Sequence, residues 1–335
     1  MSAILEPIYK IDLQSQIDKW HEENREEPRL HLGASLIGHP CDRWIWLNFR
    51  WAVIEQFPGR LLRLFRRGHN EEFTIVNDLR AMGIKIHNCG NEPQFRVDFG
   101  SHVSGSVDGI IESGVPQAEK TRHIAEFKTH SLKSFRDLQI HGVEIAKKQH
   151  WYQMQAYMLG TKIERALYVA VCKDNDEMYS ERVYFNKEEA KKIVARGQRL
   201  ALEERIPAPL STDSTWYQCK FCPAYDFCHQ SHCTKEVNCR TCCHVTPTKD
   251  SAWTCARDNG AVIPPEIQHL GCERHVLHPD LVPWKWCGGT KDGMCCIYEY
   301  NNVRVLNGDI FAGGTTSKAM LGQEPLQRKD VKIPF

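Results

Sequence analysis

The chain has 335 residues, 41% of them apolar and 25% charged, with a formal net charge of +1. That length allows one large domain or two to three modest ones, each with a core of its own, and the composition excludes a disordered, collagen-like or generally polycationic chain. Any acidic partner must therefore meet a local basic patch. With no apolar run of about 18 residues and no leader-like N-terminus, the expected location is the cytoplasm, with no membrane association.

In chain order, residues 10–30 read as a polar helix, and "CDRWIWLNFRWAVIEQF" (41–57) reads as an aromatic-rich one in which Trp44, Leu47 and Trp51 share a face. Gly59 interrupts the pattern. "RLLRLFRRGHNEEFTIVNDLRAMG" (60–83) restarts it, with Leu61, Leu64, Phe65, Phe73, Val76 and Leu79 at helical intervals and a closing Gly. Arg60, Arg63 and Arg67 fall on one face of this helix, as phosphate contacts or as a solvated charged surface. From residue 84 the segments are short and alternating: "IKIHN", "FRVDF", "VSGSVDGII" and "HIAEFKTH" predict strands separated by turns. Helical spacing returns in "VEIAKKQHWYQMQAYMLG" (143–160). "RALYVAVCK" and "SERVYF" predict further strands, and residues 186–205 a charged amphipathic helix, followed by the connector "IPAPLSTDST".

Alternate side chains of a strand share a face, so Glu126 and Lys128 in "AEFKTH" point together, and Asp108 in "GSVDGII" can meet them from a neighbouring strand. Two carboxylates beside an ammonium suit magnesium or manganese. Such a lysine can orient a metal-bound water and offset charge on an attacked phosphate, which points to phosphodiester hydrolysis. Gln153 and Tyr157 lie one turn apart on the helix that follows and share a face. The bland alternative is a set of exposed strand charges.

"RRGHNEEF", "GSVDG", "EFK" and "QMQAY", in that order, resemble the motif series of the PD-(D/E)xK nuclease superfamily. The likeness is to its RecB-like branch, with CRISPR-adaptation nucleases and phage exonucleases, and covers roughly residues 35–230. The resemblance implies an α/β fold, a restriction-endonuclease-like core in which a central mixed sheet is flanked by helices. It implies His69, Asp108, Glu126 and the Phe127 carbonyl as ligands of Mg or Mn, Lys128 as the catalytic lysine, and Gln153 and Tyr157 as residues that position the lysine or the DNA backbone. The Pro that often precedes the first acidic residue is absent, since the sequence reads Ser106-Val107-Asp108.

Fifteen cysteines in a chain without an export signal favour metal binding over disulfides, with isolated ones such as Cys89 and Cys172 as small core residues. Cys219, Cys222 and Cys228 in "QCKFCPAYDFCH" are three thiols, one short of a four-coordinate site. Members of the same nuclease branch join such a segment to one N-terminal cysteine around a 4Fe-4S cluster, and by that resemblance Cys41 supplies the fourth ligand. A local zinc set of Cys219, Cys222, Cys228 and Cys233 or His232 is the competing reading. A second module carries Cys239, Cys242, Cys255 and Cys272 at the spacing of structural zinc, with His275 as the main substitute and Cys243 as a lesser one. It has a weak similarity to small zinc-ribbon-like modules of phage proteins.

The expected organisation is a helical region at 1–83, a nuclease core at 84–210, an iron-sulfur segment at 211–234, a zinc module at 235–285 and a tail at 286–335. Cys295 and Cys296 in that tail read as ordinary thiols, and its closing Ile333-Pro334-Phe335 is similar to the end of bacterial single-strand-binding proteins, though basic where those are acidic. The function expected from the resemblance is a metal-dependent DNA exonuclease or end-processing nuclease, phage-encoded or from a recombination or repair pathway, leaving a 5′-phosphate. Its expected partners are single-stranded DNA or DNA ends, with recombination or replication proteins as further candidates. The alternative is a catalytically silent DNA-binding or scaffold protein with the same fold.

Overall fold

"HIAEFKTH" forms a strand, β6 (His123–His130), and it occupies the middle of a five-stranded sheet. The order is β2 (Lys85–His87), β5 (Gly109–Ser113), β6, β7 (Arg165–Cys172) and β8 (Met178–Tyr184), with β6 and β7 parallel and the other pairs antiparallel. The computed structural model describes residues 11–300 and 302–323, and they form a mixed α/β protein. Parallel neighbours need a long crossover. Here it consists of α4 (Leu132–Ala146) and α5 (Lys148–Thr161).

Each face of the sheet has its own core. Ile124 and Tyr168 pack with Trp151, Met154 and Met158 of α5 on one side. Ala125, Phe127 and Val169 pack with Ile75 and Val76 of α3 (Gly59–Ala81) on the other. The alternation that places Phe127 under α3 therefore directs Glu126 and Lys128 towards the α5 side. Cys89 and Cys172 are buried within these two cores.

The stretch expected as one strand over 103–111 is two. β4 (Val103–Ser106) pairs with β1 (Leu32–Gly33) and β3 (Arg96–Gly100), while β5 joins the main sheet, and Asp108 stands in the break between them. Upstream, α1 (Leu13–Glu23) lies on α3 through an Arg63–Asp18 ion pair of 2.8 Å. The aromatic helix α2 covers only Asp42–Phe49, because Trp51 takes a left-handed φ of 51°. Trp44 and Leu47 are buried in α2, but Trp51 is buried beyond its end and does not continue that face. α6 (Lys187–Leu202) packs on α5 and is tied to α2 through Arg196 and Arg199, which both pair with Asp42.

The cysteine-rich half contributes α7 (Tyr217–Lys220), a sheet of β9 (Val245–Pro247), β10 (Trp253–Cys255) and β11 (Ala261–Val262), and a second sheet of β12 (Lys285–Gly289), β13 (Cys295–Tyr300) and β14 (Val303–Gly308). A short α8 (Ser317–Met320) follows. Arg240, 1% exposed, fastens this half to the N-terminal region. Its guanidinium stacks 3.6 Å from the Trp51 ring centre and donates to the carbonyls of Phe49 and Leu30 and to Gln268 Oε1. Among the described residues no helix is long and apolar enough to cross a membrane. The Ile333-Pro334-Phe335 end lies outside the described residues.

Candidate active site and thiol clusters

At the centre of the sheet the sequence pattern brings three charged side chains together. Lys128 forms an ion pair with Glu126, its Nζ lies 3.7 Å from Asp108 Oδ2, and it donates to the Phe127 carbonyl at 3.1 Å. Asp108 Oδ2 accepts the Phe127 amide at 2.9 Å, so a side chain in the β4–β5 break is latched onto β6. Gln153 Nε2 donates to Glu126 Oε2 at 3.2 Å, and the Tyr157 hydroxyl is hydrogen-bonded to Gln153 in turn. Space for that ring comes from Gly105, where an added Cβ would meet the Tyr157 hydroxyl at 2.6 Å.

The side chain of Glu126 is 0% exposed, that of Asp108 12% and that of Lys128 25%. Burial drives the Glu126 carboxyl well above its ordinary range, Lys128 pulls it back, and Asp108 and Glu72 push it up further. Burial works against the charge on Lys128 too, but Glu126 and Asp108 outweigh it and the ammonium is held firmly protonated. The spacing reading missed Glu72, which lies on α3 three residues after His69. Burial, with Asp108 adding to it and Lys128 opposing it, raises Glu72 to about 7. Its signal was present in "RRGHNEEF", since residues three apart on a helix share a face. Asp108, Glu126 and Glu72 thus face one ammonium. Although Glu126 Oε1 touches Lys128, it lacks an aligned hydrogen-bond donor among the described residues. A buried excess of negative charge with an incompletely satisfied carboxylate oxygen is the donor chemistry that a hard divalent cation neutralises.

His69 is exposed on α3, one residue after Gly68, which faces Thr129 of β6. Of the three arginines, Arg63 is engaged by Asp18, Arg67 donates to the Lys173 carbonyl at 2.9 Å, and Arg60 is exposed. Among the described residues no three His, Cys, Asp or Glu side chains are drawn close enough together, as they stand, to hold a metal ion.

Cys41, Cys219, Cys222 and Cys228 line one pocket together with His39 and Trp44. Burial first, and then the neighbouring thiols Cys41, Cys228 and Cys219, push Cys222 up to about 11. Cys41 is the N-cap of α2, with its sulfur accepting the Trp44 amide. Cys233 is elsewhere, its thiol donating to the Thr234 carbonyl, and His232 is exposed. Cys41 thus faces Cys219, Cys222 and Cys228 across the pocket.

Cys239, Cys242, Cys255 and Cys272 also gather. Burial raises Cys239 to about 11, and the other three act on it next. His275 is committed differently, with Nδ1 2.7 Å from Ser317 Oγ and Nε2 3.0 Å from the Asn238 carbonyl. The Cys243 thiol is hydrogen-bonded to buried Cys242 and to buried Cys296 of β13, so Cys296 is part of a chain of free thiols.

No protein-family model matches the chain, and no curated protein matches it. Solved structures similar to it include the crystal structure of SSO0001, at 14% identity and a TM-score of 0.42, over 66% of this chain and 98% of that one. Another is LHK-Exo in complex with dAMP, at 14% identity and a TM-score of 0.35, over 51% of this chain and 86% of that one. A third is an alkaline exonuclease, LHK-Exo from Laribacter hongkongensis, at 14% and 0.33, over 52% and 87%. With scores this low, the site rests on its own geometry.

Proposed function

We propose that the chain is a divalent-metal-dependent nuclease of the PD-(D/E)xK type that hydrolyses phosphodiester bonds in DNA, at ends or in single strands. The observation that carries this reading is the convergence of Asp108, Glu126 and Lys128 at one buried point, braced by Gln153. Asp108, Glu126 and the Phe127 carbonyl would hold the ion, with Glu72 beside them and His69 as the further ligand that the motif series implies. When bound, Mg or Mn supplies Lewis acidity and a more acidic water.

The chain's own groups do the rest. Lys128 carries a fixed positive charge, and its 25% exposed side chain can face a phosphate and offset the charge that builds on it during attack. Gln153 holds Glu126 in one rotamer, and Tyr157 holds Gln153, so a carboxylate with little hydration of its own is aimed in advance. Asp108 fixes the β5–β6 register through the Phe127 amide while keeping its second oxygen available.

The proposal extends to the thiols: a 4Fe-4S cluster on Cys41, Cys219, Cys222 and Cys228, and zinc on Cys239, Cys242, Cys255 and Cys272. Both would be structural, the first stapling the start of α2 to the segment after the core, the second holding a module with a small apolar centre.

The test is degradation of single- and double-stranded DNA, labelled separately at the 5′ and 3′ ends, by wild type and Lys128→Ala in magnesium and in manganese. Metal-dependent loss of label in the wild type alone supports the nuclease. Inert proteins that still bind DNA would transfer the reading to the DNA-binding or scaffold alternative.

A further inference from the structure

The strand that leads into Asp108 carries a second polar feature, on the face turned away from α5. An added Cβ at Gly105 would meet Tyr157 of α5, so Gly105 points towards that helix and its neighbour Ser104 away from it. Ser104 of β4 is paired in register with Gly33 of β1, on a strand about 4.8 Å away, and the two point to the same outer face. A guanidinium lies over each. Arg96 of β3 donates through Nη2 to Ser104 Oγ at 2.7 Å, and an added Cβ at Gly33 would meet Arg29 Nη1 at 3.2 Å. Strand pairing therefore sets two like charges side by side, on residues that are both exposed.

Neither charge is answered by an anion of the chain. Among the described residues no carboxylate is within ion-pair distance of either guanidinium, and that of Arg29 has no hydrogen-bond acceptor. Asp98, the cross-strand neighbour of Ser104 on β3, turns its Oδ1 to the Gly100 amide at 2.9 Å. Half-buried His31 feels the same imbalance: burial first, and then Arg96, Arg29 and Arg240 against Asp98, hold it down to about 4. The backbone that presents Arg29 is fixed from behind. Trp51 Nε1 donates to the Arg29 carbonyl at 3.1 Å and Arg240 to the Leu30 carbonyl at 2.8 Å. The amides of Leu32 and Ala34 donate to the carbonyls of His102 and Ser104 at 2.8 and 2.9 Å. Two adjacent planar forks with donors to spare fit the oxygens of a phosphate.

We propose that Arg29 and Arg96 form a clamp for a backbone phosphate of the nucleic-acid strand that reaches the Asp108 site. Ser104 precedes Asp108 by four residues, at most about 14 Å of chain, so the clamp and Lys128 can hold one strand at two points. The identity of the strand rests on the nuclease reading, whereas the pairing of the two arginines does not.

The experiment uses the full chain in EDTA with a fluorescent single-stranded oligonucleotide, its affinity measured by anisotropy across a salt series. Arg29→Ala with Arg96→Ala removes the clamp, and Arg29→Lys with Arg96→Lys keeps the charge without the fork. One phosphate contact on a single strand contributes about 0.7 to the slope of log affinity against log salt. The alanine pair is expected to bind several-fold more weakly with the slope reduced by about 0.7, and the lysine pair to recover the slope but only part of the affinity. Circular dichroism checks that each variant is folded, and if the alanine pair is not, the lysine pair against wild type decides by its loss of affinity at unchanged slope. Unchanged affinity in the alanine pair, weaker binding at the wild-type slope, or no binding by the wild type would each overturn the clamp. Inorganic phosphate and polyglutamate are run beside the oligonucleotide. Phosphate that raises Tm of the wild type alone, without oligonucleotide binding, would assign the arginines to a free anion, and polyglutamate that separates wild type from the alanine pair as DNA does would assign them to an acidic protein; either overturns the strand. Cleavage is assayed in parallel with magnesium and manganese. A protein that shows the expected slopes but cuts nothing keeps the clamp and loses the nuclease reading, whereas one that cuts DNA while the alanine pair binds like wild type loses only the clamp.

Discussion

Asp108 and Phe127 are joined by a hydrogen bond of 2.9 Å from the Phe127 amide to Asp108 Oδ2, so one carboxylate both closes the sheet and faces Lys128. The two roles separate by substitution. Asp108→Asn keeps an acceptor for the amide and should cost less stability than removing it, yet lower DNA degradation by about a hundredfold or more. Asp108→Ala should show the same loss of activity and also lose about 1.5–3 kcal/mol of stability, since a charged acceptor is removed. Urea denaturation beside the cleavage assay distinguishes them, and equal activity of Asp108→Asn and wild type would remove Asp108 from the chemistry.

Glu72 offers a second test, through metal demand. Its carboxyl is raised to about 7 by burial and by Asp108, so it gains charge most readily when a cation arrives beside it. In Glu72→Gln the manganese concentration for half-maximal cleavage is expected to rise about 10- to 100-fold while the circular dichroism spectrum stays unchanged. An unaltered metal titration would exclude Glu72 from the site.

The two thiol readings diverge at Cys41 and Cys233. Cys41 lines the pocket with Cys219, Cys222 and Cys228, while Cys233 does not. Anaerobically purified wild type should be brown with iron and sulfide in equal amounts, Cys41→Ser should lose the colour, and Cys233→Ser should keep it. A colourless wild type containing zinc alone refutes the cluster.

Stability should fall on acidification. His102, buried against Phe49 and Trp253, is held down to about 4 by burial first and by Arg240 and Arg50, with backbone contacts at Ala252 and Thr248 opposing in part. The unfolded chain binds this proton near pH 6.5 and the folded one only near 4, so the contribution is complete above about 6.5 and is lost as pH drops towards 4. Its size is on the order of 3 kcal/mol. Guanidinium midpoints measured between pH 7.5 and 4 should fall for wild type and fall less for His102→Leu, whereas identical slopes would discount His102.

Legibility followed the range of the interactions that decide each element. "HIAEFKTH" coincides with β6 because its short run between turns is a local signal, although as the central strand it is buried on both faces rather than alternating, and strand geometry placed Glu126 and Lys128 on one face. α3 was readable for the same reason. The N-terminal part of the crossover was not, because Gly142 at φ 70° interrupts α4 and spoils its periodicity. Trp51 was assigned to a helix face on spacing alone, but its place is set by stacking on Arg240, far away in sequence. Glu72 was overlooked for a related reason: its unusual surroundings come from Asp108 and Lys128, which only the folded sheet brings near. The β12–β14 sheet had no signal strong enough to read among Gly, Asn and Cys.

The Cys-lined pocket has one wall from the start of α2 and the others from residues beyond α6. During synthesis Cys41 emerges with its companions still untranslated, at rates of about 5–20 residues per second. If the pocket takes the proposed cluster, the cluster can be inserted only once translation has passed Cys228, and chains truncated before that point would be beyond rescue by any supply of metal.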